Sequence, residues 1–390
     1  MDALMLPLNW QRVRLGDVGK PCMCKRVMKH QTTRYGEIPF YKIGTFGNTA
    51  DAFISKKLFL EYKTKYSFPK KGDILISASG TIGRAVIYDG KLAYFQDSNI
   101  VWIDNDETLV KNDFLFYAYS NIKWNTEHTT ILRLYNDNFR NTLIPLPPLN
   151  EQIAIANILS GLDHYLYTLD SLILKKESVK KALSFELLSQ RKRLKGFNQA
   201  WQKVRLGDIC EITTGSLDAN EMVHYGKYRF YTCAKEYYFI DKYAFDTEAI
   251  LISGNGAYVG YVHYYKGKFN AYQRTYVLDN FSEHIMFVKY FLTMFLQSHI
   301  QTNRNEGNTP YIVMATLKDF EILLPPLNEQ IAIANILSDV DSEIASLKNK
   351  KRQFENIKKA LNHDLMSAKI RVLKNKDCIK RGSLCNPCKA

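Results

Sequence analysis

The segment Pro147 to Ser160 recurs without a single change at Pro325 to Ser338, 178 positions later (325 − 147). Chance does not give a 14-residue identity in a chain of 390 residues, so the repeat takes precedence over any local reading. A second landmark agrees. Trp10-Gln11-Arg12-Val13-Arg14-Leu15-Gly16-Asp17 returns as Trp201-Gln202-Lys203-Val204-Arg205-Leu206-Gly207-Asp208, 191 positions on (201 − 10). The chain is an internal duplication, and its second copy is 13 residues shorter between the landmarks (191 − 178).

Fainter matches lie inside the copies. Ile74-Leu75-Ile76-Ser77 with Gly80 and Gly83 resembles Ile250-Leu251-Ile252-Ser253 with Gly256 and Gly260, and Phe95-Gln96 falls opposite Tyr272-Gln273. Elsewhere the intervals differ almost completely, and Asp218 to Gly226 has no clear match in copy one. The ends of the unit are held identical while its interior diverges. One scaffold with two different surfaces suggests two readers for two different ligand segments.

Each copy divides in two. Residues 10–146 and 204–324 are rich in Tyr, Phe, Ile and Val with Gly, Asn and Asp at intervals, which is strand-and-turn composition. Ile74–Ser77 reads as a buried strand after a Gly72-Asp73 turn. Ala85–Tyr88, Asp89-Gly90 and Lys91–Phe95 read as a hairpin. Short helices are expected near Lys111–Trp124 and Ile285–His299. The second part of each copy is helical. Pro147-Pro148 ends the strand, Asn150 suits an N-cap, and Glu151 places a negative charge in the first turn. Apolar residues then step by threes and fours through Ile155, Leu159, Leu162, Leu166, Leu169 and Ile173, and through Ile333, Ile336, Val340, Ile344 and Leu347. Each helix runs for about 40 residues, roughly 60 Å at 1.5 Å per residue. A lone helix with one apolar stripe is unstable in water, so the two stripes are expected to pack together as an antiparallel pair.

The net charge of +14 implies a polyanionic partner. Basic residues gather on the helices: nine Lys/Arg against two acids over 175–203, and twelve against three over 348–381. Seven cysteines with unmatched spacing do not form a disulfide framework, and no apolar run approaches a membrane span, so a soluble, cytoplasmic protein without membrane contact is expected. Cys385 and Cys388 make only half of a zinc site, and no metal or cofactor is expected.

The proline-led helix starts (Pro145 to Gln152, repeated at Leu324 to Gln330) and the two Trp-Gln-x-Val-Arg-Leu-Gly-Asp openings resemble the specificity subunit of type I restriction–modification enzymes. The resemblance covers residues 9 to about 368. It implies an α+β fold: two β-rich target recognition domains separated by a pair of long antiparallel helices, with a pseudo-twofold internal repeat. The domains are expected at 9–147 and 200–325, the spacer helices at 148–196 and 326–369, and a basic, cysteine-containing tail without counterpart in copy one at 370–390, beginning in practice at Arg371. The resemblance also implies a non-catalytic subunit that reads a bipartite site on double-stranded DNA. Its helices would fix the gap and dock two methyltransferase subunits, with restriction subunits joining that core. The helix-start motif, Pro147, Pro148, Asn150, Glu151 and Gln152 with Pro325, Pro326, Asn328, Glu329 and Gln330, is expected to be structural.

Two antiparallel-related readers suit one duplex when spaced by about a helical turn, ~34 Å, or somewhat more. Base discrimination needs Arg, Asn, Gln or Ser on loops at a groove. Candidates in copy one are Ser77, Ser79, Gly80, Arg84, Gln96, Arg133, Tyr135 and Asn136. In copy two they are Ser253, Asn255, Gly256, Gln273, Arg274, Asn308 and Tyr311. Methyltransferase chemistry is not expected, because Pro147-Pro148 is flanked by Leu146 and Leu149 and no residue there could hold an extruded base. Two rivals stand beside the main reading: a stand-alone nuclease using Asp51, Glu61 and Lys63, and a protein-interaction scaffold built on the helix pair.

Overall fold

The strand that opens each copy closes on the strand that ends it. The computed structural model describes residues 7–125, 127–128, 132–303 and 310–373. The chain divides into one unit of residues 1–168 with 351–390 and a second of residues 169–350.

In the first unit, β1 (Gln11–Arg14) pairs antiparallel with β11 (Leu143–Leu146), Gln11 opposite Leu146. Between them β2 (Gly19–Met23), β8 (Ile100–Asn105), β5 (Ile74–Ser77) and β6 (Ala85–Ile87) form one sheet in that order. A second sheet carries β4 (Phe53–Ile54), β3 (Ile38–Tyr41) and β7 (Tyr94–Phe95), with β3 and β7 parallel. β9 (Glu127–His128) and β10 (Leu132–Arg133) make a small ribbon. The expected hairpin at Asp89-Gly90 is not formed. The turn exists, since Gly90 has φ +85° and the Asp89 carboxylate accepts from Lys91 N at 2.9 Å, but its arms β6 and β7 join different sheets. Helices α1 (Leu15–Val18), α3 (Asn112–Tyr119) and α4 (Asn136–Asn141) cover the first sheet, burying Phe114, Tyr119 and Phe139 with Ile74, Ile76 and Ile103. Helix α2 (Lys56–Lys65) is capped by Ser55, whose hydroxyl accepts from Leu58 N, and sets Phe59 edge-on against Phe68 and Tyr94. Each such ring contributes on the order of 2–3 kcal/mol by leaving water.

In the second unit, β12 (Gln202–Arg205) pairs with β19 (Glu321–Leu324) in the register of β1 with β11. A single six-stranded sheet runs β13 (Glu211–Thr214), β18 (Thr275–Asp279), β16 (Phe245–Ser253), β17 (Val262–Ala271), β14 (Tyr228–Tyr231), β15 (Tyr238–Ile240). Strand β17 pairs with β16 over Val262–Phe269 and lies parallel to β14 at its end, Phe269–Ala271, so the separate β6 and β7 of the first unit correspond to one unbroken strand here. Helix α6 (Ile285–Asn303) buries Phe287, Val288, Leu292 and Leu296 on this sheet, and α7 (Met314–Lys318) leads into β19.

The long helices are α5 (Leu149–Leu188) and α8 (Leu327–Met366). Asn150 is not the N-cap. The first intrahelical bonds run to Pro148 O from Glu151 N (2.9 Å) and Gln152 N (3.0 Å), so Pro148 holds that place and Asn150 lies inside the first turn. In the first unit the start of α5 runs beside the end of α8: Asp163 pairs with Lys358, and the Tyr165 and Phe354 rings stand 4.7 Å apart. In the second unit the end of α5 runs beside the start of α8, with Lys176–Glu343 at 2.8 Å and Glu177–Lys348 at 2.6 Å. Rising numbers on one helix meet falling numbers on the other, so the pairing is antiparallel in each unit. Ile155, Leu159, Leu365 and Met366 enter the first unit's core, and Leu187, Leu188, Ile333 and Leu337 the second's.

The repeat extends further than the sequence alone shows. After α5, Gln190 takes φ +61° and Lys192 N bonds Glu186 O; after α8, Ala368 takes φ +57° and Ile370 N bonds Asp364 O. Both are left-handed helix ends of one design. Arg371 therefore has a counterpart, Arg193, 178 positions earlier (371 − 193). The cysteines of the tail, Cys378, Cys385 and Cys388, lie outside the described residues.

Candidate nucleic-acid interface

In each unit the buried strand that ends in serine delivers a glycine-containing loop to the tip of the sheet. In the first unit, Gly83 N returns to Ser77 O at 2.9 Å and Gly80 takes φ +66°. A Cβ on Gly83 would stand 2.1 Å from Trp124 Nε1, so the turn needs glycine. Two further loops lock onto it. Ala78 N donates to Asn99 O at 2.7 Å, and Leu134 N donates to Ala78 O at 2.9 Å. Ser79 bridges Arg133 backbone to backbone, and its hydroxyl donates to Asn99 Oδ1 at 2.8 Å.

The second unit repeats this junction bond for bond. Gly260 N returns to Ser253 O (2.7 Å), Gly254 N donates to Arg274 O (2.8 Å), and Ile312 N donates to Gly254 O (2.9 Å). Asn255 bridges Tyr311 as Ser79 bridges Arg133. Gly256 has φ +81° and its N–H is taken by Pro310 O.

The expected site residues thus fall into two groups. Ser77, Arg84 and Gln96 hold the tip together. The Ser77 hydroxyl accepts from Arg84 N and donates to Thr81 O, Arg84 Nη1 donates to Phe46 O (2.8 Å), and Gln96 Oε1 accepts from Ile43 N (2.9 Å). Ser253 is fully buried. Arg133, Tyr135 and Asn136 in the first unit, and Gln273 and Arg274 in the second, are exposed at the tip, with Tyr311 half-buried. Asn308 lies outside the described residues. Asn99, which the sequence reading missed, sits at the centre of the first tip. The expected equivalence of Gln96 with Gln273 is also corrected: Gln96 N bonds Tyr41 O as Tyr272 N bonds Tyr231 O, so Tyr272 is the partner position. That leaves Arg274 opposite Asn99, each lending its carbonyl to the strand-end loop.

The nuclease trio is otherwise engaged. Asp51 pairs with Lys42, Glu61 pairs with Lys65, and the Lys63 ammonium lies over the Phe59 and Phe68 rings. Among the described residues no group of three His, Cys, Asp or Glu is placed to hold a metal ion. No described helix is long and apolar enough to cross a membrane.

The repeated helix-start motif has a clear structural part. Glu151 is 1% exposed, and Arg371 grips both its oxygens at 2.7 and 2.9 Å while Trp10 Nε1 donates to it at 3.1 Å. Glu329 is held alike by Arg193 (2.9 and 2.8 Å) and Trp201 (3.3 Å). Gln152 joins Pro147 O to Lys111 N, and Gln330 joins Pro325 O to His284 N. Each carboxylate and amide is satisfied, as burial requires. Folding does not account for the remainder. Leu149, Ile153 and Asn157 are exposed, as are Leu327, Ile331 and Asn335.

The chain matches the model of the type I restriction modification DNA specificity domain twice, over residues 7–176 and 198–356. It is 64% identical over 148 residues to a putative type I restriction enzyme specificity subunit of Haemophilus influenzae, a match spanning 38% of each chain. It is 26% identical over 421 residues to the type I restriction enzyme MjaVIII specificity subunit of Methanocaldococcus jannaschii, spanning 95% of each. The crystal structure of a type I restriction–modification S subunit from M. genitalium superposes with a TM-score of 0.63 at 18% identity, over 93% of this chain and 98% of that one, which is a likeness of fold.

Proposed function

The chain belongs to the type I restriction modification DNA specificity family, and on that footing we propose that it is the non-catalytic recognition subunit of such a system, reading a bipartite site on double-stranded DNA. One observation carries the reading. The same three-loop junction is built twice through matching backbone bonds, and the side chains it displays differ: Asn99 and Arg133 on one tip, Asn255, Arg274 and Tyr311 on the other. A shared frame with exchanged hydrogen-bonding groups is what two readers of two base sequences need. Tyr135, Asn136 and Gln273 flank these positions, and the net charge of +14 supplies the attraction to phosphate. On this reading the protein works in the cytoplasm, where its DNA target lies.

The exposed half of the repeated helix start supports a partner present in two copies. Leu149 and Ile153, like Leu327 and Ile331, show apolar side chains to solvent in identical settings. Two methyltransferase subunits dock there, and restriction subunits join that assembly. The test is a gel-shift panel with the assembled complex at physiological salt, guided by methylation mapping in cells carrying the whole system. Tight binding confined to duplexes with one split sequence is expected. Equal affinity for every duplex overturns the reading.

A further inference from the structure

The two most exposed tyrosines of the described chain stand at one place in the repeat. Tyr35 is 86% exposed and Tyr225 is 96% exposed. Each precedes a glycine, and the local frames match. A short helical turn, Lys29–Gln31 or Ala219–Glu221, is closed by its own third side chain: Met28 N donates to Gln31 Oε1 and Asp218 N to Glu221 Oε1. Thr33 then bridges Phe53, and Val223 bridges Phe239. The glycine follows where a Cβ would stand 2.7 Å from Phe53 Cβ or 2.5 Å from Ile240 N. So the stretch Asp218–Gly226 does have a counterpart in copy one, 190 positions earlier (225 − 35).

Nothing in either fold holds these rings. Tyr35 O accepts from the Thr33 hydroxyl at 2.7 Å, but among the described residues neither phenol hydroxyl has a hydrogen bond and neither ring a ring contact, so folding gives no reason to keep tyrosine twice. Their neighbours differ: Arg34 and Glu37 beside one, His224 and Lys227 beside the other. A protein partner would hold a whole patch constant, as at Leu149 and Ile153. A ring and hydroxyl kept alone among changing neighbours suit a chemically uniform target. Position agrees in both units; charge agrees in the first, whereas residues 217–225 of the second carry Asp218 and Glu221 and no Lys or Arg. In both units the segment that ends at the tyrosine starts against the tip: Arg26 pairs with Asp97 at 2.8 Å, and Gln273 N bonds Leu217 O at 2.9 Å. Eight or nine residues of chain reach at most about 30 Å, close to one turn of duplex. In the first unit that path, residues 25–35, carries Lys25, Arg26, Lys29, His30 and Arg34, all exposed, and no acid.

We propose that Tyr35 and Tyr225 contact the sugar–phosphate backbone just outside each half-site, fixing each tip on the duplex without reading sequence; this rests on the DNA-recognition function above. The hydroxyl donates to a phosphate oxygen while the ring lies against deoxyribose.

Tyr35→Ala, Tyr225→Ala, the double variant and the Phe versions are compared with the wild type as assembled complexes on two duplexes, one holding the mapped site and one scrambled. Each alanine is expected to weaken both duplexes by the same factor, about threefold to tenfold. The double variant should multiply the losses, phenylalanine should restore part, and hydroxyl-radical protection should fade only at the outer edges of the site. Unchanged affinity, a changed sequence preference, or loss of the methyltransferase subunits overturns the proposal. A wild-type complex without preference between the duplexes instead overturns the function itself.

Discussion

Arg371 and Glu151 form a two-pronged ion pair, 2.7 and 2.9 Å, between the stretch just past the end of α8 and the first turn of α5. Glu151 has Trp10 as its other partner and almost no access to water. Arg371→Ala leaves a buried carboxylate with one hydrogen bond. Breaking one side of such a pair costs about 3–5 kcal/mol. Urea denaturation followed in the first unit should show that loss, and Arg193→Ala should show it in the second. Glu151→Gln keeps an acceptor for Trp10 and should be milder.

Arg133→Ala and Arg274→Ala should separate reading from gripping. A bidentate base contact is worth about 1–3 kcal/mol of discrimination. Each variant should therefore relax one position in one half of the recognised sequence and leave the other half sharp. Methylation mapping with each variant measures this directly. Uniform weakening across all sequences would assign these arginines to phosphate instead.

Ile153→Asp and Ile331→Asp alter exposed positions, so chain stability should shift by no more than about 0.5 kcal/mol. Assembly should respond instead. Each single variant should carry one methyltransferase subunit and the double variant none, as read by mass photometry of the mixed subunits.

Gly83→Ala should be much costlier than Gly72→Ala. Both glycines have positive φ, +83° and +95°, but a Cβ meets Trp124 Nε1 at 2.1 Å in the first case and open space in the second. Backbone strain alone costs about 1 kcal/mol, and the overlap should bring Gly83→Ala to roughly 2–4 kcal/mol. Melting temperatures of the two variants compare them, and DNA binding should fall only with Gly83→Ala because the tip itself is displaced.

His263 gives the second unit an acid sensitivity. Burial, outweighing its bond to Ala234 O at 2.9 Å and the nearby Glu236, holds the imidazole below its ordinary value. The folded chain keeps it neutral, whereas the unfolded chain takes a proton near pH 6.5. Its contribution is therefore present above about pH 6.5 and lost as pH falls below that value. Denaturation at pH 7.5 and 5.5 should show a drop that His263→Gln reduces.

What the sequence shows of this fold follows from where identity and periodicity lie. The helix starts and the 3.6-residue spacing of α5 and α8 were plain, because burial against a fixed partner leaves no choice at Glu151, Ile155 and Leu159. Strand termini were harder. Asp89-Gly90 carries a hairpin signature, yet its arms part because β7 finds a parallel partner in β3, a long-range contact that no turn chemistry encodes. Gln96 and Gln273 looked equivalent because glutamine occupies both, and only the hydrogen bonds of the tip reveal the shift. Asn99 gave no signal, since it enters the junction through its carbonyl as much as its side chain. Tyr35 and Tyr225 escaped notice because two residues at an offset of their own make no detectable repeat.

The paired ribbons β1–β11 and β12–β19, with the Trp–Glu–Arg clasp beside each, have a consequence for how such a chain changes. The ribbon and the clasp sit at the two ends of a copy, and they are the same in both. A foreign insert bearing those ends would find a ready socket in either place. New addresses on DNA can then be acquired by exchange of whole inserts, while the long helices and their repeated starts stay untouched.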